Sequence, residues 1–167
     1  MSPVIRHTTA PAVGGTLSVA LGALALLASG GQSHYLAFGA ALCLGGALLV
    51  WAGVTARPIG RIGWLATGML GLAGLFLSLL VSREDVCCMF GYHRGLGYPW
   101  GWLDSDATAD SMAAIEAMKS SPEGLEQTVD WPKVVFDGLF WWHAALIVVV
   151  PITRVRRAAR GPSQARE

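Results

Sequence analysis

Residues 62–82, IGWLATGMLGLAGLFLSLLVS, contain no charged side chain. A helix needs about 20 mostly apolar residues to cross the hydrocarbon core of a bilayer. A backbone in that core must satisfy its own hydrogen bonds, so such a run is read as a membrane-crossing helix. Three more stretches have this character, at about 12–29, 35–55 and 134–153. The last, VVFDGLFWWHAALIVVVPIT, carries Asp137 and His143. Only 14% of the 167 residues are charged, against roughly 25% in a soluble domain. The same poverty of charge excludes a disordered chain. A net charge of +1, with no basic residues gathered on one folded face, excludes a nucleic-acid binder. The expected fold class is an all-α integral membrane protein. It has four transmembrane helices and an extracytoplasmic loop of about 50 residues containing a short helix.

The first span imitates a secretory leader, with Arg6 ahead of the apolar run Leu17–Leu27 and then Ala28, Ser29 and Gly30. No cysteine follows, which excludes a lipoprotein signal, and the run is expected to remain as the first helix. Orientation follows from Lys and Arg in the short flanks. Four spans put Arg6, Arg57, Arg61, Arg154, Arg156, Arg157, Arg160 and Arg166 on one side. The 83–133 loop, on the other side, holds nine acidic residues against four basic ones, a net charge of −5. Both termini are therefore expected in the cytoplasm, the loop outside, and residues 154–167 as a basic cytoplasmic tail. That tail is a topological signal and an attraction to anionic lipid. Ten Arg against two Lys suggests a GC-rich bacterial source, hence a bacterial cytoplasmic membrane.

Close helix packing in lipid depends on small side chains. The first span has Gly15, Ser18, Gly22, Ala25 and Ser29 at helical spacing. The third has Gly63, Thr67, Gly71, Gly74, Ser78 and Ser82, and the second has Gly39, Cys43, Gly46 and Gly53. The first three helices are expected to form a tight bundle. The fourth, with Phe136, Phe140, Trp141 and Trp142 and no such stripe, is expected to face lipid or another subunit.

In the loop, Gly91, Gly95, Gly97 and Gly101 alternate with Phe90, Tyr92, Tyr98, Trp100 and Trp102. This composition argues against a helix, and Pro99 against a central strand. Residues 105–120 read as a short helix capped by Ser105 or Asp106, with Met112, Ile115 and Met118 on its apolar face. Tyr92, Arg94, Tyr98, Trp100, Trp102, Trp141 and Trp142 form the expected partner- or ligand-binding set, because Trp, Tyr and Arg anchor interfaces.

Cys87 and Cys88 are the candidate redox or disulfide pair. A bond between neighbours strains the peptide, so a bond to another chain or two free thiols are the alternatives. No Cys-x-x-Cys occurs, and the spacing of Cys87, Cys88 and His93 matches no zinc pattern; no metal is expected. His143, about 14 Å along its helix from the outer end, is the candidate cofactor ligand, with haem or chlorin as the group it would hold. There is no phosphate loop, nucleophile elbow or His-x-x-x-His pair. The leading expectation is a non-catalytic accessory subunit of a larger membrane complex, in contact with lipid and with other membrane subunits. The alternatives are a small redox or cofactor-binding membrane protein using Cys87, Cys88 or His143, and an extracytoplasmic sensor or lipid-binding module.

Overall fold

The computed structural model describes residues 3–55, 59–87, 91–121 and 125–160. The chain is mostly helical. Helices α1 (Pro3–Leu27), α2 (Ser33–Val54), α3 (Arg61–Leu77, extended by a 3-10 turn at Ser78–Leu80) and α5 (Trp131–Arg160) lie over the four apolar stretches. Among the described residues, four segments are long and apolar enough to cross a membrane: Ala10–Leu27, Ser33–Val54, Arg61–Leu80 and Trp131–Arg156. The tail beyond residue 160 lies outside the described residues.

The segment between α3 and α5 corrects the all-α expectation. Strands β1 (Ser82–Cys87), β2 (Gly91–Leu96), β3 (Leu103–Thr108) and β4 (Gln127–Val129) form an antiparallel sheet in the order β1-β2-β3-β4. Helix α4 (Met112–Ser120) is inserted between β3 and β4. The expected helix over 105–120 therefore starts later, because residues 105–108 belong to β3. Its cap is Ser111, whose Oγ accepts the Ala114 N–H at 3.3 Å. Ile115 is fully buried, Met118 is half-buried and Met112 is exposed.

The glycines of 91–101 serve the β2–β3 turn. A Cβ on Gly97, at φ 128°, would lie 2.5 Å from the Trp102 ring, and one on Gly101 would lie 2.8 Å from Gly95 Cα. The turn closes with Trp102 N–H donating to Leu96 O and Gly97 N–H to Val81 O.

The chain divides into two compact units, Met1–Ala73 with Leu139–Glu167, and Gly74–Gly138. In the first, α1 and α2 pair through their glycines. A Cβ on Gly15 would lie 2.5 Å from Gly46 O, and one on Gly22 would lie 2.7 Å from Gly39 O. The stripe of α3 has another use: the Cβ position of Gly71 lies against the backbone of Trp141 and Trp142, and a Cβ on Gly45 of α2 would lie 2.9 Å from His143 Cβ. This corrects the expectation of a peripheral fourth helix. Leu146 and Val150 of α5 join Leu49 of α2 in the buried core, flanked by Ile59 and Trp64. The bulky residues of α5 fill notches that the other helices leave by lacking Cβ atoms, so α5 needs no small-residue stripe.

Candidate functional site

Strand register determines which polar groups of the sheet meet. Asp85 of β1, His93 of β2 and Asp106 of β3 stand in one cross-strand row, with Asp104 opposite Gly95 in the next row on that face. His93 Nδ1 lies 2.7 Å from Asp106 Oδ1, and Nε2 lies 3.7 Å from Asp104 Oδ1. Asp104 is nearly buried. Its Oδ2 accepts from Lys133 Nζ on the first turn of α5, while its Oδ1 is buried with no hydrogen-bond partner. Lys133 Nζ also reaches Asp130 Oδ2 at 3.2 Å. Asp130 caps α5 by accepting the Lys133 backbone N–H at 3.2 Å. That bond, reinforced by the Lys133 ammonium, holds the Asp130 carboxyl below the usual carboxylate range. A hollow of about 370 Å³, lined by Gly91, Tyr92, His93, Asp106, Ala107 and Thr108, opens beside this row.

The opposite face carries Tyr92 and Arg94. Arg94 Nε approaches Glu84 Oε1 at 3.8 Å. Tyr92 is 1% exposed, with its hydroxyl buried beside Glu84. Burial, with the Glu84 charge beside it, pushes the phenol above its ordinary range.

The expected aromatic docking set is divided between the two units. Tyr92 is interior. Tyr98 lies under the Arg83 guanidinium at 5.9 Å. Trp100 packs on Phe136 at 5.7 Å and donates its backbone N–H to Asp137 Oδ1 at 3.0 Å. Trp102 packs against the Gly97 backbone, with its Nε1 buried and unpartnered. These residues belong to the 74–138 unit. Trp141 and Trp142 belong to the other, where Trp141 meets Phe140 at 5.2 Å and Trp142 stacks on Trp64 at 6.0 Å. Each of these rings thus has a packing contact inside its own unit, and Trp142 also keeps an exposed face.

His143 is buried in the helical unit. Its Nδ1–H donates to Leu139 O at 2.8 Å, which leaves Nε2 as an acceptor 2.9 Å from Ser18 Oγ. The Ser18 hydroxyl has one proton and also lies 3.0 Å from Gly14 O. Among the described residues, the Ser18 hydroxyl is the donor that meets Nε2. Both ring nitrogens are thus engaged, and axial ligation of a haem or chlorin would require Ser18 to give way. Cys88 lies outside the described residues, and Cys87 is described only by its strand position opposite Gly91. Among the described residues, no group of three or more His, Cys, Asp or Glu side chains is placed to hold a metal ion.

Sequence reasoning missed the row around His93 and its link to Lys133. The Asp-Ser-Asp of 104–106 was the available signal, because its period of two puts both carboxylates on one face of a strand. Comparison of the chain with protein-family models, curated proteins and solved structures finds no match. The class that stands on the structure is a chain of four membrane-length apolar helices carrying a small antiparallel sheet between the third and the fourth.

Proposed function

We propose that this chain is a non-catalytic membrane subunit, held in the bilayer by its four long helices and joined to another membrane protein through the β1 edge of its sheet. The observation that carries this reading is the open edge. β1 pairs only with β2 among the described residues, and Val81, Ser82, Glu84, Asp85 and Val86 are all exposed. An unpaired edge is a template for another strand. The edge resists pairing with its own copy. A two-fold antiparallel pair places a residue opposite itself, so a register centred on Arg83, Glu84 or Asp85 sets like charges face to face. A different chain bearing basic residues meets no such barrier, and the 83–133 segment has a net charge of −5 to attract it. The arginine distribution supports cytoplasmic termini and an extracytoplasmic sheet.

The test is native mass spectrometry after purification from its own membrane in mild detergent. Wild type is expected with a stoichiometric larger subunit. Asp85→Lys is expected to lose that subunit while keeping its circular dichroism spectrum. A self-contained monomer or homo-oligomer of the wild type overturns the reading.

A further inference from the structure

The His93 row contains an unmet proton demand. A neutral imidazole has one ring proton, and the 2.7 Å contact with Asp106 Oδ1 assigns it to Nδ1. Nε2 then presents a lone pair toward Asp104 Oδ1, 3.7 Å away. That oxygen is itself buried and without a donor. Two acceptors thus face each other across a gap that a small ring movement closes to hydrogen-bond distance. One proton on Nε2 turns the pair into donor and acceptor and supplies the hydrogen bond that Asp104 lacks.

Charged groups stand around His93 on the neighbouring elements. Asp85 faces His93 from β1, and Asp104 and Asp106 face it from β3. Lys133 of α5 and Asp130 before it stand behind Asp104. Arg83 of β1 shares the face by register, but its guanidinium lies over Tyr98. Thr128, opposite Asp104 on β4, is neutral. Four carboxylates thus stand against two cations. His93 is 41% exposed at its side chain and borders the hollow, so water reaches it.

We propose that His93 is a proton-operated switch: it takes a proton from water on Nε2, closes on Asp104, and thereby changes the hold of Asp104 on Lys133 at the head of α5. The balance is one proton gained by the imidazole and one lost by hydronium. The output follows because Asp104 serves both neighbours, Oδ1 toward His93 and Oδ2 toward Lys133. A second cation on one oxygen lowers the charge available to the other. This switch makes the sheet a proton sensor, and it does not depend on whether a partner strand adds to β1.

The experiment is nitrogen NMR of the full chain in detergent, with labelled histidine and lysine, followed from neutral to acidic pH. His93 Nε2 is expected to become protonated as the pH falls. The Lys133 Nζ signal is expected to shift with the same midpoint. In Asp104→Asn the Lys133 response at the His93 midpoint is expected to vanish. A Lys133 signal that stays flat while His93 titrates, or a Lys133 step at the His93 midpoint that persists in Asp104→Asn, overturns the switch. If Asp104→Asn does not fold, His93→Gln decides: a Lys133 step that persists there at the wild-type His93 midpoint, apart from the more acidic one due to Asp130, overturns the proposal, and its disappearance supports it.

Discussion

Ser18 and His143 join α1 to α5 through a single proton. His143 is buried and Ser18 half-buried, and among the described residues the Ser18 hydroxyl is the donor that meets Nε2. Removing one partner of such a pair leaves a polar atom unsatisfied where water does not reach. Ser18→Ala is therefore expected to lower stability by about 1 kcal/mol, read as an earlier thermal transition in detergent. An unchanged transition would show that the bond contributes nothing. At the head of α5 the sign of the pH effect follows from Asp130. Its carboxyl is held below the usual range by the Lys133 N–H, so this cap is present at neutral pH and is lost as the pH falls through that lowered value.

The α1–α2 pair depends on the absence of side chains at a few positions. A Cβ at Gly15 would meet the α2 backbone at Gly46 O and Val50 N, whereas one at Gly14 meets nothing within 4 Å. Gly15→Ala is expected to cost about 1–3 kcal/mol and Gly14→Ala to leave stability within about 0.5 kcal/mol. The comparison of their melting curves checks this, and equal melting points would refute it. The pairing was legible in the sequence, because small residues at helical spacing leave a one-dimensional trace. The four spans were legible for a related reason: a bilayer imposes its thickness on every residue of a crossing helix. The sheet left no such trace. SREDVC and LDSDAT are polar, and β2 alternates buried and half-buried positions only in part. The glycines that read as loop punctuation are the ones that let the β2–β3 turn close. Strand identity here lies in cross-strand partners such as Glu84 with Arg94 and His93 with Asp106, which a local pattern does not record. The candidate site was hidden for the same reason: Asp104 and Lys133 are 29 positions apart in sequence.

For the molecule as a whole, orientation is the measurable property. Under the proposed orientation, with both termini in the cytoplasm, a single cysteine replacing Asp110, in a background where the native cysteines are changed to Ser, is expected to react with a membrane-impermeant maleimide on intact cells. One replacing Arg156 is expected to react only after the membrane is opened. The reverse pattern would invert the assignment.

The contacts of α5 with Gly45 and Ser18 also set an order of events during synthesis. It is the last of the four helices to leave the ribosome, after the residues of the sheet. Until it arrives, the notch at Gly45 is empty and the Ser18 hydroxyl lacks its imidazole. A nascent chain stopped before residue 139 therefore presents an unfinished interior to the surrounding lipid.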